Sequence, residues 1–588
     1  MWPFSYLNHA TCSVHDVNEK TFDYVVVGGG TGGCVVASRL SEDSNVKVLL
    51  VERGPVVDTW FSRVPLLSVD FRNARSPTYQ WASTISEATK GVGGTNMISG
   101  KALGGTSKVN AFVYTRSVPG EYNAWAAAGR QGWSWADVEP YYRKSENSLN
   151  SGTAQHRGST GPWRNRQLPE ISFSYLFRVL QAAASLGIPH RNDIHDPSVP
   201  PHACGLFDVT IDENGQRHST FDAFLPPEVT SRANLFVCTE SIVTRLDFKD
   251  GEGGVEVVGV YLAQNTTPAV GETMECYVGV NKEIIMCAGA IATPQVLMLS
   301  GLGPRDHLEE LGIEVIKDLP GVGAHLQDHP YTPLVFKIPR GDSLHELEQN
   351  PLRVAWELIR YIVAGTGWLL SPNPQMVVFA QSKLLDEESR TIAQEDSTNS
   401  HSPANIPDIE LTACPFNMCP DLPLSKQEGA LTLACMLLKP ASAGSVRLTS
   451  RSAHDRPACD LAYLREPSDY AVFRKALRLG LALARQCRAQ GYAMRPALVP
   501  KSEDDADLDA FVRRHVASTY HYSSTCRMAP EEEMGVVDDE LRVHGVRNLR
   551  IADASVFPVV PSAHPQAPVV MVAERCADFV KAARGESS

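Results

Sequence analysis

Five glycines crowd into the first eleven residues of DYVVVGGGTGGCVVASRLSEDSNVKVLLVERG, residues 23–54. Phe22 to Val27 is a short apolar run rich in β-branched residues and predicts a buried strand. Gly28, Gly30 and Gly33 complete a G-x-G-x-x-G pattern and Thr31 leads out of it. Val35 to Leu40 predicts a helix, and Val46 to Val51 a second strand that ends on Glu52, 19 residues beyond Gly33. This is a βαβ unit for a dinucleotide. The first glycine permits the tight turn, the second lets a pyrophosphate approach the backbone, and the third lets helix pack on strand. The helix start turns free N–H groups toward phosphate, and Glu52 stands where an acid meets a ribose. The motif serves NAD and FAD alike; its place near the N-terminus points to FAD.

A chain of 588 residues exceeds one compact core and predicts two domains. A formal net charge of −13 argues against nucleic acid as partner, since phosphate binding needs a basic footprint. No apolar run reaches the ~18–20 residues that cross a bilayer. The first residues lack a basic segment followed by a long apolar one, so an intracellular, cytoplasmic protein is expected. The 13 cysteines are scattered, which fits reduced thiols, and the Cys414/Cys419 pair has no matching pair, so no metal is expected. The sequon at Asn265 is expected to be silent.

Further along, a second glycine cluster at Gly91 to Gly105 suggests backbone approaching a ligand again. The aromatics of residues 120–150 read as core. Residues 173–187 and 469–488 predict amphipathic helices, 235–262 paired strands, and 282–288 a buried strand running into a turn and helix at 289–303. The polar stretch 386–407 reads as an exposed loop or insertion, possible disorder included. Near the C-terminus two histidines, His521 and His564, each lie on a short loop beside an apolar segment.

Taken in order, these blocks resemble the glucose-methanol-choline (GMC) oxidoreductases over nearly the whole chain, about residues 20–585. The βαβ unit is one block. Gly100 to Asn110 (GKALGGTSKVN) is similar to the family's first signature, with a departure at Ser117, and Gly289 to Gly303 to its second. The C-terminal histidine pair is the fourth. The resemblance implies an α/β, two-domain fold: a Rossmann-like FAD-binding domain from residues 20–155, 236–330 and 536–585, and a substrate domain with a large antiparallel sheet from 156–235 and 331–535, after an N-terminal extension, 1–19. It implies FAD held by Gly28, Gly30, Thr31, Gly33 and Glu52; by Gly104, Thr106, Ser107 and Asn110 along the isoalloxazine and pyrophosphate; by the Val243 backbone at adenine; and by Asp553 and Ala554. Some members attach FAD through a histidine just before the asparagine of this loop; Val109 stands there, so non-covalent FAD is expected.

The resemblance also implies the reaction. An alcohol loses a proton from oxygen and a hydride from carbon to flavin N5. Histidine, with an ordinary pKa near 6.5, suits the proton transfer, and such a base contributes roughly 10²–10⁴ in rate. His521 is the expected base and His564 the group that holds the alkoxide oxygen, as in the two-histidine subgroup that includes aryl-alcohol oxidases. His325 and His329 are expected to be structural or to cover the flavin. The expected substrate is a primary alcohol, aromatic or furanic, or an aldehyde hydrate; Tyr520, Phe112, Tyr114 and residues 368–375 are pocket candidates, with core packing the competing reading. Electrons pass to O2 or another acceptor, and monomer and homodimer both remain open. The same fold also carries other chemistry in fatty-acid photodecarboxylases, lyases and a cyclase, and a flavin-free binding protein is the third class.

Overall fold

The structure is a computed structural model that describes residues 9–68, 78–84, 97–150, 155–168, 173–251, 254–265, 275–372, 374–394, 396–419 and 421–585. Part of the second glycine cluster and two of the three sequon residues lie outside these.

The βαβ unit forms as its pattern predicts. Strand Thr21–Val27 buries its apolar side chains between strand Val48–Val51 on one edge and strand Cys276–Met286 on the other, all three parallel. Strand Leu235–Cys238 extends the parallel part beyond Val48–Val51. On the other side the sheet turns antiparallel through Gly254–Gln264 and Ser241–Gly251, and two short strands, Val546–Arg547 and Leu549–Ile551, complete eight. The helix begins at Thr31, four residues before its first apolar residue, because Gly30 takes the extended N-cap conformation.

The last helix, Gln566–Ala583, lies against this first helix. Arg39 donates two hydrogen bonds to the fully buried Glu574, at 2.8 and 2.7 Å. At Gly32 a Cβ would come within 2.3 Å of the Ala552 carbonyl, so the chain just before His564 is packed directly onto the dinucleotide motif.

A second sheet has seven strands, all antiparallel: Arg495–Leu498, Pro330–Pro339, Glu428–Leu437, Ile409–Cys414, Met376–Ala380 and Ala203–Leu206 in order, with Ala517–Ser518 paired to the start of Pro330–Pro339. The long helix Pro467–Ala489 covers one face. Leu334, Leu411 and Cys435 meet Gly480 there, where a Cβ would sit 2.7 Å from the Leu334 side chain. Side chains alternate along a strand, so Glu410 and Thr412 point to the opposite face from Leu411. That face looks toward the two histidine loops.

Two expectations are refined. The stretch 386–407 is irregular, yet it is pinned to the body: Gly120 donates to the Ser400 carbonyl at 2.7 Å, His202 bonds Thr391 at 2.8 Å, and Ser389, Ser400 and Asn405 are buried. The aromatics Tyr122, Trp125, Trp133, Trp135 and Tyr142 are core, as read.

Candidate active site

At the nucleotide end each glycine is tested by what a side chain would meet. Gly28 has φ of +104°, and a Cβ would lie 2.5 Å from the Cys287 carbonyl oxygen. At Gly33 it would lie 1.8 Å from the Gly28 oxygen, so helix and strand touch there. Gly30 differs. Its φ is −80°, and the nearest atom to an added Cβ is the Gly105 Cα at an ordinary 3.7 Å. Nothing in the protein itself requires glycine at Gly30. The free backbone surface at the helix start is what a pyrophosphate needs, and the chain fits the group on this observation.

The second glycine loop folds over the first. The Gly104 N–H donates to the Gly29 carbonyl at 2.8 Å. Ser107 Oγ donates to the Gly104 carbonyl at 2.6 Å, and the Thr106 hydroxyl accepts from the Gly100 N–H at 3.2 Å. Glu52 is buried and accepts from the Gly29 and Gly54 N–H groups at 2.9 and 2.7 Å; burial outweighs these bonds and pushes its carboxyl up to about 7. Val243 is buried in register with Leu262, immediately before a bulge. Asp553 accepts from Gly289 N–H, Thr293 Oγ1 and Ser555 N–H at 2.9, 2.6 and 2.8 Å, which ties it to the start of helix Gly289–Leu299. The neighbouring Ala554 carbonyl accepts from Ser524 N–H at 3.0 Å.

Asn110 links this end to the histidines. Its amide donates to Gln566 Oε1 at 2.9 Å, two residues past His564, and its oxygen accepts from the Phe112 N–H and from Arg217 at 3.0 and 2.9 Å. Arg217 is buried with its guanidinium 3.6 Å from the Phe112 ring centroid, and burial lowers its pKa to about 9.

His521 and His564 face one another with ring centroids 4.7 Å apart. His521 sits between two residues in the left-handed region, Tyr520 at φ +65° and Ser524 at +68°, a conformation that costs energy and that its surroundings must enforce. Asp328 does the enforcing. One carboxylate oxygen accepts the backbone N–H groups of His521 (2.7 Å) and His329 (2.9 Å), and the other accepts the Ser518 and Tyr463 hydroxyls. Burial raises Asp328 to about 6. His564 is placed by its own N–H, which donates to Thr115 Oγ1 at 2.7 Å.

Each ring is committed at one nitrogen. His521 Nδ1 lies 2.9 Å from His329 Nδ1, and His564 Nε2 lies 3.0 Å from Glu410 Oε1. His521 Nε2 and His564 Nδ1 remain for a substrate. The two Nδ1 atoms share one proton, and either ring can be its donor. His329 is wholly buried, and its pKa is pushed well below the ordinary value, by burial first and then by His564 and Lys439, so it is neutral. Its Nε2 is buried and has no hydrogen-bond partner among the described residues. With the shared proton on His521 Nδ1, His329 Nδ1 accepts it and His521 Nε2 carries the lone pair, the tautomer that a base at His521 requires. Burial, then His564 and His329, lowers His521 well below its usual value as well. On the other ring, Nε2 is committed to the Glu410 carboxylate, which leaves His564 Nδ1 on the substrate side.

The family model described as GMC oxidoreductase matches residues 22–331, and the model of that family's C-terminal part matches residues 440–573. The chain belongs to the GMC oxidoreductases. A dehydrogenase of Strobilurus tenacellus, str4, is 35 % identical, covering 96 % of this chain and 94 % of its own. Human mitochondrial choline dehydrogenase is 33 % identical, over 97 % and 92 %. The solved structure of an arginine-to-alanine variant of Aspergillus oryzae formate oxidase superposes with a TM-score of 0.83 at 28 % identity, over 97 % and 99 %. The protein is accordingly an FAD-dependent oxidoreductase of CH–OH donors, mixed α/β with a Rossmann-like sheet and a separate antiparallel one. None of its described helices is long and apolar enough to cross a membrane.

The structure thus brings together the GMC residues read from sequence: Gly28 to Gly33 with Glu52, Gly104 to Asn110, Asp553, and the two histidines. It adds Glu410 and His329. His329, expected to be structural or to cover the flavin, bonds the expected base directly at 2.9 Å. Two aromatic pocket candidates join the core instead: Tyr114 is fully buried, and Trp368 packs against Phe173 with centroids 4.8 Å apart. Phe112 is buried beneath Arg217. Phe207, unremarked in the sequence, stands edge-on to His564 at 5.4 Å.

Proposed function

We propose that this enzyme oxidises a primary alcohol, aromatic or furanic, or the hydrate of an aldehyde, with His521 as the base. The observation that carries the reading is that each ring is bonded away from the other at one nitrogen, His521 Nδ1 to His329 and His564 Nε2 to Glu410, which leaves His521 Nε2 and His564 Nδ1 for a substrate on rings whose centroids lie 4.7 Å apart. When bound, FAD supplies the two-electron acceptor for the hydride. The chain's own part is proton and charge control. His564 Nδ1–H holds the substrate oxygen and stabilises negative charge growing there. His521 Nε2 takes the hydroxyl proton, and His329 accepts from Nδ1–H of the resulting imidazolium. Asp328 fixes His521 and His329 by their backbones and Thr115 fixes His564, so little reorganisation accompanies the transfer.

An apolar substrate body is supported by Phe207, whose ring stands edge-on to His564 with centroids 5.4 Å apart. Val109, in place of the histidine of covalent members, supports non-covalent FAD. The flavin-bound protein is to be mixed anaerobically with benzylic, furanic, aliphatic, sugar and choline alcohols while absorbance near ~450 nm is followed. Fast bleaching by the benzylic or furanic group supports the reading; a fully loaded protein that stays yellow with every alcohol overturns it. Admitting air then reads whether O2 is the acceptor.

A further inference from the structure

Helix Pro351–Ala364, PLRVAWELIRYIVA, presents its apolar side to solvent. Leu352 is 83 % exposed, Val363 80 %, Trp356 and Ile359 54 % and Ile362 50 %. At 100° per residue these five fall within an arc of about 120°. The inward side holds Tyr361, whose hydroxyl donates to the Gly215 carbonyl at 3.0 Å, and Glu357, which accepts the Trp368 N–H at 2.8 Å. The helix is therefore docked by its polar and aromatic groups and turned outward by its aliphatic ones, the reverse of an ordinary surface helix. Phe61, 65 % exposed, comes from a second segment beside it: the adjacent Trp60 packs edge-on to Tyr361 with centroids 6.5 Å apart. An apolar patch this continuous marks an interaction surface.

We propose that this helix seats the enzyme on a phospholipid bilayer surface. Three observations favour lipid over a second copy of the chain. The exposed arc is wider than the narrow seam along which two helices pair. The helix's own exposed charges are cations: Arg353 and Arg360 lie together at one edge, each about one-third exposed, two guanidinium groups paired at 2.7 and 3.6 Å with one acid, the fully buried Glu357. Arginines at the edge of an apolar face, with tryptophan on it, suit headgroup phosphates and the interfacial layer. A twofold antiparallel pairing of the helix with its own copy would bring both arginine edges to the same side with no exposed acid between them. At 14 residues the helix spans ~21 Å, short of the ~30 Å hydrocarbon core, so it lies in the interface and does not cross it.

The test is flotation of the full-length, FAD-loaded protein with phosphatidylcholine vesicles containing roughly one-third phosphatidylserine. The partner variant is Leu352→Glu/Trp356→Glu; both side chains are exposed, and flavin content and melting temperature report that the fold is kept. Wild type is expected to float and the variant to lose about tenfold or more of its vesicle-bound fraction. Wild type that stays at the bottom, or a variant that floats equally, overturns the proposal. So does a wild-type dimer in light scattering that the variant splits, since the face would then be a contact between copies.

Discussion

Replacing His329 by phenylalanine tests the tautomer assignment, because it removes one acceptor and nothing from the substrate side. His521 Nδ1–H then points into a buried, apolar space. A buried donor left without a partner costs about 1–3 kcal/mol. His521 escapes that cost by moving its proton to Nε2, toward the open side, where water or substrate accepts it. The fraction with a lone pair on Nε2 falls by roughly 5- to 150-fold, the same energy read as a population. Flavin reduction under saturating alcohol is expected to slow by that factor while FAD content and melting temperature change little. His329→Asn, whose amide oxygen can accept, is expected to recover part of the rate. Stopped-flow absorbance under nitrogen reads both. A fully loaded His329→Phe protein that reduces within about twofold of wild type refutes the assignment, because the proton on Nδ1 would then not depend on its acceptor.

Glu410→Gln keeps the shape of the acceptor for His564 Nε2 and removes its charge; steady-state and single-turnover kinetics are expected to show roughly a 5- to 10-fold slower reduction, the difference between a charged and a neutral hydrogen bond. Gly30→Ala is expected to leave the melting temperature of flavin-stripped protein unchanged and to weaken FAD binding in a flavin titration, whereas Gly33→Ala, with its Cβ 1.8 Å from the Gly28 oxygen, is expected to lose folded protein altogether. The pH dependence carries a sign. His521 must be unprotonated to act, and its pKa in the fold lies well below the ordinary value, so activity extends downward in pH. The acid limb of kcat/KM is expected below about 6.5; a limb at or above that value contradicts the buried, neutral base.

Much of the dinucleotide end was legible, because its constraints are local. Glycines separated by fixed short intervals report a turn and a close approach without help from distant residues, and Glu52 follows from the length of one helix and one strand. The histidine pair was legible through its motif context. Glu410 and His329 were not, for a shared reason: Glu410 lies in the seven-stranded sheet and His329 immediately precedes its strand Pro330–Pro339, and their meeting with the histidines depends on how that sheet faces the C-terminal loops. A weak signal existed at Glu410, one acid inside the apolar strand IELTAC, and a charge in a buried strand asks for a partner. The helix Pro351–Ala364 shows a different limit. Its periodicity announces an amphipathic helix, but the apolar stripe of a helix ordinarily faces the core, and here Glu357 and Tyr361 face inward. Tyr114 and Trp368 were open between pocket and core, since an aromatic near a motif packs the core as readily as a pocket, and both are buried.

The central claim is that His521 takes the substrate's hydroxyl proton. Anaerobic stopped-flow reduction of His521→Ala, measured with the alcohol that bleaches wild type fastest, tests it most directly. The account predicts a yellow protein with full FAD content whose flavin reduction is slower by roughly 10²-fold or more. Reduction at a near-normal rate in a fully loaded variant would contradict it and pass the base to another group.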